Sequence, residues 1–260
     1  MIELSLIGIG SGAADHPTLQ ALAALRAAQL VLVPRKGEEK SELAQLRRAL
    51  CASHLDASAR VVEFDMPRRD AATAQYLDGV LDWHARIAGI WAELLRAQLP
   101  RGGRAALLVW GDPALYDSSL RVAGRLRDAG LALRVRVIPG LSSVQLLTAA
   151  HAIGLNTLGG SVLITTGRRL REAGWPDGVE TVVVMLDADC AFRQLPPTDL
   201  HIYWGAYLGM PQQQLLRGPL AQTAPHIVEA RALARARHGW IMDVYLLRRG
   251  SGPDADIDLA

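Results

Sequence analysis

Short apolar runs alternate with amphipathic stretches through the first half of the chain. The runs lie at 2–10, 30–33, 61–64, 104–110 and 133–138 and are rich in β-branched residues and leucine. Helical periodicity fills the segments 19–29, 41–50, 71–99 and 117–130 between them. Strands that are hydrophobic on both faces and alternate with helices predict a five-stranded parallel sheet covered on both sides.

The second half has a different pattern. A helix at 142–152 is followed by predicted strands at 161–165, 181–186, 201–204 and 240–247, with a helix near Gln212. This indicates a second α/β domain with a shorter, mixed sheet. We therefore expect a two-domain α/β fold, with domains at 1–139 and 140–250 and a flexible Gly, Pro and Asp rich tail at 251–260.

The loops that follow the strands of the first half hold the candidate site. Ligands of open α/β sheets bind beyond the carboxyl ends of the strands. Here those ends carry glycine and proline, at Gly8 to Gly12, Pro34 to Gly37, Gly111 to Pro113, and Pro139 with Gly140.

The first of these loops, Gly8-Ile9-Gly10-Ser11-Gly12, lies between a strand and a helix, as a dinucleotide fingerprint does. The third glycine of that fingerprint is missing, and no acidic residue ends the second strand to hold a ribose. The pattern therefore argues against an NAD site. Two readings remain open, a close approach of backbone to some other ligand and a tight turn without one.

Two later loops carry polar side chains. Asp112, in Gly111 to Tyr116, can accept hydrogen bonds from backbone amides or from a cationic ligand. Ser142 and Ser143 follow Pro139 and Gly140, and capping of the next helix accounts for only one of the two hydroxyls.

Composition narrows the class of protein. Only Lys36 and Lys40 are lysines, so 26 of the 28 basic residues are arginines, and the net charge of +2 does not indicate a nucleic-acid partner. The two cysteines have no metal-ligand spacing, so we expect no metal site, no disulfide and a reducing, cytoplasmic location. No apolar run reaches the roughly 20 residues of a membrane span, and the start of the chain has no basic targeting segment.

Taken in order, the loop motifs resemble those of the tetrapyrrole methylase family, the class III S-adenosylmethionine-dependent methyltransferases that modify uroporphyrinogen and the precorrins. The matching segments are Gly8 to Thr18, Gly111 to Tyr116, Pro139 to Ser143, and the strand Thr181 to Met185. Further stretches are similar to the members that methylate C-1 of precorrin-5 and expel its acetyl group, namely 32–37, 76–91, 156–170, 202–209 and 239–243. One departure lies in the first loop, where Ser11 and Ala13 replace the usual proline and the usual Asp or Asn.

The resemblance implies a C-methyltransferase of cobalamin biosynthesis that acts as a homodimer on a precorrin. S-adenosyl-L-methionine, with S-adenosyl-L-homocysteine as its product, would lie in the cleft between the domains. The cofactor-binding residues that it implies are Gly10, Trp110, Gly111, Asp112, Leu115, Tyr116, Ser142, Ser143, Met185, Leu186, Tyr207, Leu208, Gly209, Trp240 and Ile241.

Release of acetate adds the need for a general base and for donors to an oxyanion. The candidate catalytic residues are Asp15, His16 and Tyr116, with an exposed, non-catalytic residue as the alternative for His16. We expect His84 to be structural, and Asp187 and Asp189 to cap a strand end.

Arginine and lysine on the strand-end loops would bind the carboxylates of the substrate. The candidates are Arg35, Lys36, Arg168 and Arg169, with a solvated surface charge as the alternative for Arg169. Two other functions stay open: methylation of another precorrin carbon or of a different substrate, and a catalytically silent nucleotide-binding or carrier protein.

Overall fold

The computed structural model of the protein describes residues 1–35, 41–68 and 76–250. It divides into two compact units, Met1–Ser142 and Ser143–Ala260. The predicted tail at 251–260 lies outside the described residues. Within the described part of the chain, no helix is both long enough and apolar enough to span a bilayer.

The first unit is the predicted parallel sheet with its helices. Its strands are β1 (Ile2–Gly8), β2 (Leu30–Arg35), β3 (Arg60–Asp65), β4 (Gly103–Val109) and β5 (Leu133–Ile138). The helices are α1 (Leu19–Arg26), α2 (Ser41–His54), α3 (Tyr76–Gln98) and α4 (Ser119–Asp128). The strand order is β3-β2-β4-β1-β5, and each neighbouring pair is parallel.

Two hydrophobic clusters cover the two faces of this sheet, because successive side chains of a strand point to opposite faces. Leu6 of β1 belongs to the cluster that includes Leu95 of α3 and Leu126 of α4. Its neighbour Ile7 belongs to the other, with Leu25 of α1. All five side chains are buried, which confirms a sheet that is covered on both sides.

Pro34 does not end β2, contrary to our expectation of a strand at 30–33. β2 continues to Arg35 beside β3, where Pro34 pairs with Phe64 and Arg35 with Asp65. Its pairing with β4 stops three residues earlier, at Leu32 and Leu107. Proline has no N–H to donate. The hydrogen-bonded ladder with β4 therefore ends before residue 34, whereas the ladder with β3 continues past it.

The second unit has the predicted mixed sheet. It contains α5 (Ser143–His151), β6 (Val162–Thr166), α6 (Gly167–Ala173), β7 (Thr181–Met185), β8 (Leu200–Ala206), β9 (Gln214–Pro219), α7 (Leu220–His238) and β10 (Asp243–Arg249). The strand order is β6-β7-β10-β8-β9. β6 and β7 are parallel, and the other pairs are antiparallel.

The predicted helix near Gln212 is wrong. Residues 207–213 form turns, and β9 follows directly. Side chains along β9 alternate between partly buried and exposed, as in an edge strand with one covered face, so the period is two rather than 3.6. The helix of this region is α7, which begins after Pro219.

Candidate active site

Three glycines bring the strand-end loops of the first unit into contact. A Cβ on Gly8 would lie 2.6 Å from the amide nitrogen of Gly140 and 2.8 Å from the carbonyl oxygen of Gly111. A Cβ on Gly140 would meet the same carbonyl oxygen and the backbone of Gly8. Only glycine allows three backbones to approach this closely. The ends of β1, β4 and β5 therefore meet at one point.

Asp112 ties two of these loops together. Its Oδ1 accepts a hydrogen bond from the amide of Ala114 at 2.7 Å, and its Oδ2 accepts one from the amide of Gly140 at 2.9 Å. Both acceptors of the carboxylate thus bind backbone. Within this unit, Asp112 therefore fixes the loop that follows β4 (the β4 loop) relative to the loop that follows β5 (the β5 loop).

The first loop packs against the β4 loop through Gly10. The amide of Gly111 donates to the carbonyl of Gly10 at 2.7 Å, and Gly10 adopts a φ of 73°. A Cβ on Gly10 would collide with the ring of His16, so the imidazole lies directly on this backbone.

His16 is half-buried in that loop, whereas Asp15 is exposed. The Nδ1 of His16 accepts a hydrogen bond from the amide of Ser11 at 3.4 Å. Burial lowers the pKa of His16, and the charge of Asp15 partly opposes this. A neutral ring that accepts at Nδ1 carries its proton on Nε2, so His16 can act as a hydrogen-bond donor.

The β4 loop presents further predicted residues. Tyr116 is 43% exposed and has a φ of 49°, a left-handed conformation that non-glycine residues rarely adopt. Burial of part of the ring raises the pKa of Tyr116. The amide of Leu115 donates to the carbonyl of Asp112 at 3.3 Å, which closes a turn. Ser142 is buried, with its Cα 4.0 Å from the position of a Cβ on Gly111, and Ser143 begins α5.

In the second unit, Met185 ends β7 and Leu186 follows it with a φ of 53° and 68% of its surface exposed. Asp187 comes next and is buried. It accepts hydrogen bonds from the amides of Asp189 and Ala191 at 3.1 and 2.6 Å. Asp187 therefore caps the turn after β7, as the sequence predicts, while Asp189 lies 3.3 Å from a guanidinium nitrogen of Arg171.

Tyr207 and Trp240 pack against each other in this unit. Their rings are 5.0 Å apart and nearly perpendicular, and the hydroxyl of Tyr207 donates to the carbonyl of Trp240 at 2.5 Å. Tyr207 is buried with a φ of 52°, and Leu208 is also buried. The amide of Gly209 donates to Oε1 of Gln213 at 2.8 Å. Ile241 lies in the partly buried loop between Trp240 and β10.

Two indoles at these loops keep buried N–H groups without a partner among the described residues. They are the Nε1 atoms of Trp110, at the end of β4, and of Trp240. Buried donors of this kind are rare in folded proteins, and a bound ligand is one of the ways in which they are satisfied.

The predicted carboxylate-binding residues differ in how far they are engaged. Arg35 binds Asp65 with two hydrogen bonds of 3.0 and 2.9 Å, so its fork is occupied. Arg168 and Arg169 lie in the first turn of α6, within 3.9 and 4.0 Å of Glu172. Lys36 lies outside the described residues.

Two buried residues of the structure were not indicated by the sequence motifs. Arg47 of α2 and Arg231 of α7 are buried arginines, and Arg231 binds Asp243 at 2.9 Å. His84 is buried on α3, as the structural interpretation requires, and burial together with nearby arginines lowers its pKa. A charged residue at a buried helical position was the only available signal for the two arginines. No cluster of His, Cys, Asp and Glu suited to a metal ion occurs in 1–35, 41–68 or 76–250.

Comparison with known families decides the class of the protein. The profile of the tetrapyrrole (corrin/porphyrin) methylases matches residues 3–224. The chain belongs to the tetrapyrrole methylase family. This confirms the resemblance that the loop motifs indicated. A curated tetrapyrrole methylase, precorrin-6A synthase (deacetylating) from Sinorhizobium sp., is 46% identical over 256 residues, which are 98% of each chain.

Solved structures of tetrapyrrole methylases have the same fold. A cobalamin synthesis related protein (CobF) from Corynebacterium diphtheriae is 36% identical, with a TM-score of 0.82 over 96% of this chain and 100% of that one. A uroporphyrin-III C-methyltransferase from Thermus thermophilus, complexed with S-adenosylhomocysteine, is 20% identical, with a TM-score of 0.58 over 95% and 97% of the two chains. At that identity the likeness concerns the fold alone.

Proposed function

We propose that the protein methylates C-1 of precorrin-5 with S-adenosyl-L-methionine and releases the acetyl group of the substrate as acetate. The products are precorrin-6A and S-adenosyl-L-homocysteine. The observation that carries this proposal is the 46% identity to a deacetylating precorrin-6A synthase over 98% of both chains. The segments that resemble that group of enzymes lie in both units, so the support extends over the whole length of the chain.

The strand-end loops fit a methyl donor with an adenine ring. Trp110 offers a buried N–H that has no acceptor among the described residues. Tyr116 of the same loop and Leu141, whose carbonyl oxygen lies 3.9 Å from the position of a Cβ on Gly111, offer exposed apolar surface. A Cβ on Gly111 would meet no described atom closer than 3.9 Å, so its backbone is open to a ligand. When bound, the donor supplies an electrophilic methyl group on its sulfonium.

We assign to donor binding the loop residues Gly10, Trp110, Gly111, Leu115, Tyr116 and Ser142 in the first unit, and Ser143, Met185, Leu186, Tyr207, Leu208, Gly209, Trp240 and Ile241 in the second. Asp112 acts on the donor through the loop that it fixes. Methyl transfer needs no side-chain nucleophile, so the contribution of these residues is to hold the reacting atoms in line.

Release of acetate requires that water add to the acetyl carbonyl. The bond between the acetyl carbon and C-1 then breaks and acetate leaves. The electron pair of that bond stays on C-1, which attacks the methyl group of the donor. In our proposal Asp15, which is exposed, accepts the proton of this water. The Nε2–H of His16 and the hydroxyl of Tyr116 donate to the oxyanion. Burial favours the neutral form of both, in which each is a donor.

Arg168 and Arg169 are proposed to bind carboxylates of the tetrapyrrole. Arg35, the last residue of β2, and Lys36, the next residue in the sequence, are proposed to bind others. The structure favours Arg169 most among the four. Its side chain is 71% exposed, and its nitrogen lies 4.0 Å from the carboxylate of Glu172, the longest distance that still counts as an ion pair. Arg35 is already bound to Asp65, so it contributes less.

Incubation of the protein with anaerobically prepared precorrin-5 and methyl-labelled donor tests the proposal. Acetate and a product labelled at C-1 should form in equal amounts. Methylation without acetate would indicate reaction at another precorrin carbon. A protein that neither methylates the substrate nor binds S-adenosyl-L-homocysteine in calorimetry would contradict the whole proposal.

We also propose that the protein acts in the cytoplasm as a homodimer. Its two cysteines, Cys51 and Cys190, are buried and free, which suits a reducing compartment. Leu77 and Leu81 are 69% and 50% exposed one turn apart on α3 and offer apolar surface to a second copy. Light scattering on a sizing column would distinguish a dimer from a monomer.

A further inference from the structure

A carbonyl at the end of β4 lacks its expected backbone donor. In the parallel ladder between β1 and β4, the carbonyl of Val109 accepts from Ile9, the residue after its partner Gly8. Alternate carbonyls of a strand face opposite neighbours, so the carbonyl of Leu108 faces β2. Continuing the register of Ala106 with Val31 places Val33 opposite Leu108, so by the same pattern the donor to this carbonyl would be the N–H of residue 34. Residue 34 is proline, which has no N–H to give.

Arg47 supplies the missing hydrogen bond. Its Nε donates to the carbonyl of Leu108 at 3.0 Å. Arg47 lies on α2 in line with Ala44 and Cys51, and all three face the interior. Arginine is rarely buried to this extent, so its presence in an otherwise apolar stripe calls for a specific partner. An orphan carbonyl in an interior strand is such a partner.

The same side chain also acts on the loop beyond Leu108. Its guanidinium carbon lies 6.0 Å from the ring centre of Trp110, which is within the range of a cation–π interaction. Burial lowers the pKa of Arg47 to about 10, and the charge of Asp117 opposes that shift, so Arg47 is a cation at neutral pH. Leu108 and Trp110 lie at the start of the segment that continues through 111–117, so Arg47 holds the point from which this loop leaves β4.

We propose that Arg47 is a positioning residue that replaces the backbone donor missing at Pro34 and thereby fixes the loop 110–117. The role of this loop in binding the methyl donor rests on the proposed function, whereas the replacement of the donor does not. The guanidinium touches backbone and an indole, so it shapes the site without taking part in methyl transfer.

Hydrogen exchange of the ligand-free protein tests the structural part. In Arg47→Met, exchange in peptides covering 108–117 should accelerate by about tenfold, as expected for the loss of one charge-assisted hydrogen bond. Arg47→Lys keeps a cation and a donor and should retain most of the protection. Arg48→Met is the control, because it removes the neighbouring arginine, which is exposed and bound to Glu63.

A second substitution can restore the missing donor. Pro34→Ala supplies the backbone N–H that the carbonyl of Leu108 lacks, so the double variant Pro34→Ala with Arg47→Met should regain protection of 108–117. Thermal unfolding of each variant separates loss of fold from loss of loop order. Wild-type exchange at 108–117 in a folded Arg47→Met variant would overturn the proposal, and so would a folded double variant with no recovery.

Calorimetry with S-adenosyl-L-homocysteine then tests the link to the methyl donor. Arg47→Met should bind at least about tenfold more weakly, with Arg47→Lys and Arg48→Met close to wild type. If the wild type does not bind this ligand, the proposed function fails, while the exchange result still decides the role of Arg47. If Arg47→Met binds as tightly as wild type, Arg47 does not position a donor site.

Discussion

Several residues assigned to the site have a strained backbone. Tyr116, Leu186 and Tyr207 have φ values of 49°, 53° and 52°. Such conformations cost about 1–3 kcal/mol each and persist only where the surroundings enforce them. For Tyr207 the enforcing contacts are its amide to the carbonyl of Met242 at 3.0 Å and its hydroxyl to Trp240. Strain at these three positions supports the proposal that they belong to a preorganised ligand site, although Ala152, Cys190 and Asp199 have the same conformation outside it.

At the residue scale, Asp112→Asn tests whether the β4 loop must be fixed for turnover. The substitution removes a charge and turns one acceptor into an NH2 group that faces a backbone N–H. Hydrogen bonds to a charged group contribute about 1.5–3 kcal/mol, so kcat/KM for methyl transfer should fall at least about tenfold. Initial rates with labelled donor measure this.

Asp56→Asn is the matched control, since Asp56 also accepts a backbone hydrogen bond, from Ser58 at 2.9 Å. That turn precedes β3 and so lies at the amino ends of the parallel strands, whereas Asp112 lies at their carboxyl ends. Asp56→Asn should leave kcat/KM unchanged. Equal rates for Asp112→Asn and wild type would show that the loop does not need this carboxylate.

His16 predicts a pH dependence. Burial lowers its pKa from 6.5, so the folded protein binds fewer protons than the unfolded chain below that pH, and the contribution of His16 to stability rises as pH rises toward 6.5. Protonation also makes Nδ1 a donor, which breaks its bond with Ser11. We therefore expect that the titration of His16 leaves kcat/KM unchanged above pH 6.5 and lowers it as the pH falls below that value.

His16→Gln separates this group from the others that titrate. Glutamine keeps an amide donor and does not titrate, so the variant should retain part of the activity and lose the acid limb of the pH profile. His226→Gln, an exposed histidine of α7, should keep that limb. An unchanged profile in His16→Gln would assign the limb to another residue.

At the scale of elements, the junction of β1 and β5 predicts a steric effect on stability. A Cβ at Gly8 would lie 2.7 Å from the Cα of Gly140, and neither backbone can move without disturbing its strand. Gly8→Ala should therefore destabilise the protein by about 1–3 kcal/mol. Urea unfolding followed by tryptophan fluorescence and circular dichroism measures the change.

Gly124→Ala is the control for that change. Gly124 lies within α4, and apart from its own stretch of helix no described atom comes within 4 Å of the position of its Cβ. Alanine should leave stability unchanged or raise it by up to about 1 kcal/mol. If Gly8→Ala were as stable as Gly124→Ala, the glycine contact would not be close-packed in solution.

Hydrophobic runs predicted the elements of the first unit because a parallel sheet buries whole strands. The same reasoning failed around Gln212 because β9 is an edge strand whose pattern is weak. It also missed α7, where Pro225 lies inside the helix and the arginines leave no clear apolar stripe. In the site, motifs found the loops, but the partner of Asp112 and the role of Arg47 depend on residues 28 and 61 positions away in the chain.

At the scale of the whole molecule, overall charge does not explain attraction of a substrate with many carboxylates. The chain carries 28 basic and 26 acidic residues, so its net charge is only +2. Attraction must come from the local distribution of charge. In the second unit, Arg168 and Arg169 are adjacent cations in the first turn of α6.

This distribution predicts a salt-dependent KM for the tetrapyrrole. Raising ionic strength from about 0.1 M to about 1 M shortens the screening length from about 10 Å to about 3 Å, so KM should rise. Arg169→Met should raise KM severalfold at low salt and weaken its salt dependence. Arg237→Met removes the same charge from an exposed position on α7. Because both variants have the same net charge, equal effects on KM would mean that overall charge, not Arg169, attracts the substrate.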